Sequence, residues 1–147
     1  MKPYEVRHGK FLLSDDKHRI DPLYVYELLC TPKANSQGVP KRRFPTILSN
    51  SHCIGVYHGQ QQIGFGRVIT DYSEFASVWD VYVDDAYRKK GLGKAIVETI
   101  MNSHNLKDIY RWFLMTEDVH ALYEKYGFKR ETFNPYFMMH VNPDANT

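Results

Sequence analysis

Tyr87-Arg88-Lys89-Lys90-Gly91-Leu92-Gly93-Lys94 lies between a run typical of a strand and a run typical of a helix. Before it, residues 78–83 are aromatic and β-branched, which favours a strand. After it, apolar and small residues recur at helical spacing, namely Leu92, Ala95, Ile96, Thr99 and Ile100. The segment therefore predicts a strand, a glycine-containing turn and a helix that begins at Gly91.

This turn has the chemistry of a pyrophosphate-binding site. The start of a helix leaves backbone N–H groups without intrahelical partners, and the helix dipole favours an anion there. Gly91 and Gly93 have no Cβ, so a phosphate can approach the backbone closely. Cationic side chains surround the same point, namely Arg88, Lys89, Lys90 and Lys94. The alternative interpretation is a basic helix start in which both glycines are merely tolerated.

The spacing of the glycines separates this turn from two common phosphate-binding motifs. No Gly-x-x-x-x-Gly-Lys-Ser/Thr string occurs in the chain, which excludes a P-loop. The dinucleotide motif Gly-x-Gly-x-x-Gly needs a third glycine at position 96, where this chain has isoleucine. The string Arg88-x-x-Gly91-x-Gly93 instead resembles the acetyl-CoA-binding motif of the GNAT superfamily of N-acetyltransferases.

A second segment resembles the C-terminal signature of the same superfamily. The typical form is Ala-x-x-x-Tyr-Glu-Lys-x-Gly-Phe, and the chain has Ala121-Leu122-Tyr123-Glu124-Lys125-Tyr126-Gly127-Phe128, with a shorter interval between Ala121 and Tyr123. The two motifs occur in the family's order, about thirty residues apart. The resemblance covers residues 51–130, whereas the first fifty residues agree only in the order of their elements.

The order of elements is predicted from periodicity and from turn residues. An acidic N-cap followed by proline, Asp21-Pro22, begins the first helix, and Thr31-Pro32 ends it. Residues 33–45 have a loop composition with at most one short helical turn, and Gly127 ends a short helix over residues 118–126. Strands are predicted at residues 4–8, 53–57, 62–70, 78–83, 109–115 and 133–141. This order implies an α/β or α+β domain, and the resemblance implies a mixed, mostly antiparallel central sheet flanked by helices.

Length and composition favour a single domain over residues 1–147. The hydrophobic fraction of 43% and the charged fraction of 24% are ordinary for a soluble globular protein. The formal net charge of +2 gives no general indication of nucleic-acid binding. The two cysteines form no CxxC pair and the seven histidines lack metal-ligand spacing, so we expect neither a metal site nor a disulfide scaffold. Without a signal peptide or a long apolar span, we expect a reduced, cytoplasmic protein that does not enter a membrane.

The resemblance implies a cosubstrate and a reaction, namely acetyl transfer from acetyl-CoA to an amine. It implies that backbone amides at the glycine turn bind the pyrophosphate, and that the preceding strand pairs with the pantetheine arm. The cofactor-binding residues are then Val81, Tyr82, Val83, Arg88, Lys89, Lys90, Gly91, Leu92, Gly93 and Lys94. It further implies that this strand and the strand over residues 109–115 separate to leave a slot for the thioester. The N–H of Val81 would polarise the thioester carbonyl in that slot.

Two side chains are candidate catalytic residues. Tyr123 occupies the position at which many family members carry a general acid, and a phenol is protonated at neutral pH. The alternative is that Tyr123 only packs beside Phe128. Asp80 lies on the cofactor strand, where an acid in relatives holds the ammonium of a cationic amine or relays its proton through water. The alternative is that Asp80 caps a bulge or faces solvent.

The expected acceptor is the primary amine of a small molecule. The alternatives are a protein or peptide N-acetyltransferase and a non-catalytic acetyl-CoA-binding module that regulates a partner. We expect no nucleic-acid partner, because the basic residues are not spread along a face with aromatic residues. The resemblance makes a homodimer plausible, whereas the acceptor itself is not specified by the sequence.

Overall fold

The computed structural model describes residues 1–33, 38–130, 136 and 138–146. Within them one sheet has its strands in chain order: β1 Glu5–His8, β2 Phe11–Ser14, β3 His52–His58, β4 Gln61–Thr70, β5 Phe75–Val83 and β6 Arg111–Phe113. All neighbouring strands are antiparallel except β5 and β6, which are parallel. The helices are α1 Pro22–Cys30, α2 Phe44–Ser49, α3 Leu92–Asn102 and α4 His120–Glu124. Short 3₁₀ turns lie at Lys17–Arg19, Lys41–Arg43, Asp85–Tyr87 and Pro143–Asn146.

The capping residues identified in the sequence set the ends of the helices. The Asp21 side chain accepts hydrogen bonds from the backbone N–H groups of Leu23 and Tyr24 at 3.0 and 3.4 Å, and Pro22 is the first residue of α1. Gly91 is the N-cap of α3 with φ of 76°, a left-handed conformation that strains residues with a Cβ. The predicted positions of both helix starts are therefore confirmed.

Most predicted strands and helices are confirmed, with shifted ends. The strands expected at residues 4–8, 53–57, 62–70 and 78–83 correspond to β1, β3, β4 and β5, and β5 begins earlier, at Phe75. The strand expected over residues 109–115 is only β6, and the helix expected over residues 118–126 is only α4. In the strand expected over residues 133–141, positions 133–135 and 137 lie outside the described residues. That prediction is wrong for the others, 136 and 138–141, which belong to no strand.

The structure also contains two elements that the sequence pattern does not predict. β2 is a four-residue run whose residues Phe11, Leu13 and Ser14 are all buried, so it lacks the alternation that identifies longer strands. α2 contains Pro45 in its first turn, where a missing N–H breaks no helical hydrogen bond. In the sequence the same proline favours a loop, which is why the helix is missed.

Two apolar clusters cover the two faces of the sheet. Because successive residues of a strand point to opposite faces, Ile54 and Val56 of β3 pack with α3, whereas Cys53 packs with α1. The buried face of α3 consists of Leu92, Ala95, Ile96, Val97, Thr99 and Ile100. This packing fixes α3 against the sheet, so that its first turn lies at the end of β5. No helix in the described part of the chain is long and apolar enough to cross a membrane.

A β-bulge interrupts the pairing of β4 with β5. Phe65 pairs with Tyr82 and Arg67 pairs with Trp79, so two residues of β5, Asp80 and Val81, face the single residue Gly66. A Cβ built at Gly66 would lie 2.7 Å from Cγ2 of Ile96, so only glycine allows α3 to pack this closely. The bulge therefore occurs where β4 packs tightly against Ile96 of α3.

At the other end of the sheet, a buried polar network joins the N-terminal segment to the start of β3 and to the loops that contain Asp15 and Asn105. The imidazole of His52 lies 3.1 Å from Oδ2 of Asp15, and the two side chains are 4% and 1% exposed. Asn105 Nδ2 donates to Oδ2 at 2.8 Å and the Tyr4 N–H donates to Oδ1 at 2.6 Å. Burial raises the pKa of Asp15, but the hydrogen bonds from His52, Asn105 and Tyr4 outweigh that effect and hold the pKa below its ordinary value.

We predict that Asp15→Asn destabilises the protein by roughly 3 kcal/mol at neutral pH, as expected when a buried carboxylate that accepts several hydrogen bonds is replaced by a group that cannot accept all of them. Since the folded pKa of Asp15 lies below its unfolded value, its stabilisation is complete above the unfolded pKa of about 3.9. That stabilisation is lost as the pH falls through the folded pKa. The stability difference between parent and variant should therefore stay constant from pH 7 to about pH 4 and become smaller as the pH falls further.

Urea unfolding at a series of pH values measures this gap. Asp108→Asn removes an exposed carboxylate and serves as the control, with no expected change. A gap of constant size across the pH range would show that the charge of Asp15 does not contribute to the stability of the fold.

Candidate active site

A cavity of about 670 Å³ opens where β5 and β6 separate. Their parallel pairing comprises Phe75–Arg111, Ala76–Trp112 and Ser77–Phe113, whereas β5 continues to Val83. Residues 78–83 form one wall of the cavity, and Met115, Thr116 and the α4 residues Leu122 and Tyr123 line another part. Since β6 ends at Phe113, no described strand lies beside residues 78–83 on this side, and the cavity occupies the place where the resemblance implies a slot.

The glycine turn closes one end of this cavity. Lys89 and Gly91 both have left-handed φ angles, 63° and 76°, so the chain reverses sharply just before the first turn of α3. A Cβ built at Gly93 would have no described protein atom within 4 Å, which leaves open space in front of this residue. The start of an eleven-residue helix and an open glycine fit an anionic group such as a pyrophosphate.

The cationic side chains of the turn differ in their surroundings. Arg88 Nε donates to the Val83 carbonyl at 3.2 Å, pairs with Asp85 at 3.1 Å, and the guanidinium lies 5.5 Å from the ring centroid of Tyr82. Arg88, Lys89 and Lys94 line the cavity. Lys90 is not among the described residues that line it; His8 Nε2 donates to the Lys90 carbonyl at 3.0 Å, which ties the turn to β1.

Tyr123 is brought to the cavity by α4 and is only 8% exposed. Burial raises the pKa of its phenol, which keeps it protonated at neutral pH. Its ring also packs edge-on against Phe128, with 5.6 Å between the ring centroids. The contact with Phe128 agrees with a packing role, and the position in the cavity agrees with a catalytic role. The role of Tyr123 as general acid therefore stays a prediction.

Asp80 lies on the cavity wall at the bulge of β5, with a left-handed φ of 55°. Its Oδ2 accepts a hydrogen bond from Nε of Arg67 at 2.8 Å, within a salt bridge whose side chains are 28% and 13% exposed. The position at a bulge agrees with the alternative interpretation of Asp80. Its catalytic role stays a prediction, and the carboxylate already has a cationic neighbour.

Sequence reasoning missed Arg67 and two other residues that surround the site. Arg67 and Asp80 are thirteen residues apart, and the hairpin brings them together only through the register that the bulge sets. Trp79 lines the cavity, and its indole N–H donates to the Ser77 hydroxyl at 2.6 Å. Tyr87 also lines it, and its hydroxyl lies 3.0 Å from Nδ1 of His58. The polar residue in a run of strand residues was the available signal for Arg67.

Comparison with protein families matches this part of the chain to one of them. Residues 49–130, more than half of the sequence, match the family described as an acetyltransferase (GNAT) domain. The matched segment runs from the end of α2 through α4, and it therefore includes the bulge, the glycine turn and Tyr123.

Individual relatives agree with this match. A chloroplastic GCN5-related N-acetyltransferase of Arabidopsis thaliana is 36% identical over 134 residues, covering 73% of this chain and 50% of the relative. A histone acetyltransferase of Glycine max is 29% identical over 125 residues, covering 74% of this chain and 52% of the relative. The chain thus spans about half the length of the curated relatives it matches.

Solved structures confirm the predicted fold class. A protein from Xanthomonas campestris pv. campestris, described as belonging to the GNAT family, superposes with a TM-score of 0.83. It is 28% identical, and the match covers 95% of this chain and 99% of that one. The mixed, mostly antiparallel sheet flanked by helices is therefore the fold that the sequence predicts.

Gly93→Val should remove most of the affinity for coenzyme A, because methyl groups would occupy the open space in front of residue 93. Gly93→Ala should have a smaller effect, since it adds one carbon only. Neither change meets a described protein atom at Cβ, so both variants should stay folded. Isothermal titration calorimetry with coenzyme A measures the affinity, and thermal unfolding monitors the fold. Parent affinity in a folded Gly93→Val protein would place the pyrophosphate elsewhere.

Proposed function

The chain belongs to the GNAT acetyltransferase family, and from this premise we propose that it transfers an acetyl group from acetyl-CoA directly to the primary amine of a small molecule. The observation that carries the proposal is a single cavity lined by the glycine turn, the end of β5 and the Tyr123 side chain. An anion site, a strand edge without a described neighbour and a protonated phenol in one cavity are the parts that this reaction needs.

The residues present fit acetyl-CoA as a cosubstrate. The turn around Gly91 and the open Gly93 would hold the pyrophosphate through backbone N–H groups, with Arg88, Lys89 and Lys94 adding positive charge. The β5 backbone of residues 81–83 would pair with the extended pantetheine arm on the side where β6 has already diverged. Acetyl-CoA supplies the activated thioester for the transfer.

The chain's own groups then serve the two ends of an acyl transfer. As the amine nitrogen forms its bond to the acetyl carbon, the N–H of Val81 would stabilise the negative charge that develops on the carbonyl oxygen. As the carbon–sulfur bond breaks, the electron pair leaves with the sulfur, and Tyr123 would donate its proton there. The nitrogen loses a second proton as the amide forms, and that proton, passed through water, would restore the phenol of Tyr123. The raised pKa of Tyr123 suits an acid that must remain protonated until that moment.

The substrate ammonium must lose a proton before it attacks. Asp80, one of the two bulge residues, is a carboxylate on the cavity wall. It would attract the ammonium and pass its proton to solvent through water. Its salt bridge with Arg67 limits this attraction, since part of its charge is already compensated. We therefore propose that Asp80 mainly orients the amine and contributes little to the affinity for it.

A protein acceptor is the second candidate, and the histone acetyltransferase of Glycine max favours it. A non-catalytic acetyl-CoA-binding module is a third, which the position of Tyr123 in the cavity disfavours. We keep a homodimer and the absence of nucleic-acid partners as proposals. The cytoplasmic location is likewise a proposal. The chloroplastic relative of Arabidopsis thaliana favours a plastid as the alternative location.

An acetyl-CoA turnover assay across amines, polyamines, amino acids, aminoglycosides and peptides tests the proposed function. We expect release of the coenzyme A thiol with at least one small primary amine, and a mass increase of that amine by one acetyl group. Gly93→Val serves as the inactive control. Turnover with peptides alone would establish the second candidate, and coenzyme A binding without turnover on any amine would establish the third.

Tyr123→Phe should lower kcat by roughly 10²-fold, because the leaving thiolate then lacks its proton donor. The affinity for coenzyme A should stay near that of the parent, since the glycine turn is unchanged. Tyr126→Phe removes a hydroxyl three residues further along the chain, from a residue outside the described lining of the cavity, and should keep the parent kcat. Steady-state kinetics with the best amine decides the matter. A Tyr123→Phe protein with unchanged kcat and lower thermal stability would assign the side chain to packing.

A further inference from the structure

The backbone at Asp80 has a conformation that needs support. Its φ of 55° is left-handed, a region that aspartate and asparagine adopt more readily than most residues with a Cβ. The same residue belongs to the bulge, so that Asp80 and Val81 together face Gly66. A strained conformation in a bulge persists only where surrounding contacts hold it.

Arg67 supplies such contacts from the neighbouring strand. Its Nε donates to Asp80 Oδ2 at 2.8 Å, and its Nη1 donates to the hydroxyl of Ser51 at 3.1 Å. The Ser51 hydroxyl in turn donates to the Ile47 carbonyl in α2 at 2.7 Å. Arg67 is 13% exposed, so its guanidinium is held between α2 and the bulge. The charge-assisted hydrogen bond to the carboxylate is the stronger of its two contacts.

We propose that Arg67 is a positioning residue for acetyl transfer, which acts through Asp80. It orients the Asp80 carboxylate and thereby holds the left-handed bulge that places the Asp80–Val81 peptide on the cavity wall. This inference rests on the proposed function for its catalytic consequence, whereas its structural part does not. It also explains why a cation lies beside a carboxylate that the reaction would use.

Two other roles for Arg67 make different predictions. If Arg67 contacted the acceptor itself, its loss would add to the loss of Asp80 and would raise KM for the amine. If it served only to stabilise the sheet, its loss would lower the melting temperature and leave kcat unchanged. A positioning role predicts a lower kcat, an unchanged KM for acetyl-CoA, and an effect that depends on Asp80.

The experiment is a double-mutant cycle of Arg67→Met, Asp80→Asn and the combined variant, assayed with the best amine of the panel. Arg67→Met keeps an unbranched side chain and removes the charge. Because the Asp80–Val81 peptide would then move from its position on the cavity wall, kcat should fall roughly 10-fold to 100-fold. Arg67→Lys should restore part of that loss, because it keeps the charge but not the fork that contacts both partners. The combined variant should be no slower than the slower of the two single variants.

Two further variants separate conformation from charge. Asp80→Gly keeps the freedom to adopt a left-handed φ and Asp80→Ala does not, so the glycine variant should be the faster of the two. Arg19→Met is the matched control, since Arg19 pairs with Glu5 through Nε at 3.1 Å at an exposed site. It should keep the parent kcat.

A readout without turnover separates this inference from the proposed function. In ¹H–¹⁵N NMR spectra, Arg67→Met should shift the backbone amide resonances of Asp80, Val81 and Tyr82, and Arg19→Met should leave them in place. If these shifts occur but the parent acetylates no amine, the proposed function is wrong and the positioning contact stands. Unshifted resonances, a parent kcat in Arg67→Met, or multiplicative losses in the combined variant would each overturn the inference.

Discussion

On one side β5 pairs antiparallel with β4 as far as Val83 and Gly64, whereas on the other side its parallel pairing with β6 ends at Ser77 and Phe113. Because the pairing with β6 is shorter than the pairing with β4, six residues of β5, from 78 to 83, have a strand neighbour on one side only in the described structure. The cavity fills the space that β6 leaves. One short 3₁₀ turn separates the end of β5 from the glycine turn, so the cavity ends at the first turn of α3. The site therefore follows from the lengths of two strand ladders.

The bulge changes the directions in which the side chains of β5 point. A regular ladder would continue the alternation of β5 through residue 80, and the bulge instead inserts one extra residue opposite Gly66. As a result, the side chain of Val81 packs against the α3 face, whereas that of Asp80 meets Arg67. Glycine at position 66 permits this because a Cβ there would collide with Ile96. Side chains from three elements thus hold one short segment of backbone in place.

How far the sequence predicts this site depends on how local each signal is. The glycine turn, the start of α3 and the cap of α1 are encoded within a few neighbouring residues, and the structure has them where the sequence places them. β2 and α2 are missed because one is too short to show a period and the other begins with a proline that also suits a loop. The contact of Arg67 with Asp80 depends on a register shift between two strands, which no local pattern reports.

The two candidate catalytic residues show how different surroundings suit different tasks. Tyr123 is buried beside Phe128, and desolvation raises the pKa of its phenol, which favours the neutral, protonated form. Asp80 is partly exposed, and its carboxylate accepts a hydrogen bond from the guanidinium of Arg67. A phenol and a carboxylate thus lie at separate parts of one cavity wall, which suits the proposed reaction, in which one proton leaves the amine and another reaches the sulfur.

The two ends of the cavity present different chemical groups. Family membership therefore bears on one end more than on the other. At the end where we propose that the cosubstrate binds, the groups present are backbone amides and glycines, which a short motif specifies. At the bulge, the wall consists of side chains, namely Trp79, Asp80 and its partner Arg67. Under the proposed function, substitutions there would change the acceptor without disturbing the pyrophosphate site. The acceptor would then depend on this chain's own residues around the bulge, whereas the cosubstrate would be common to the family.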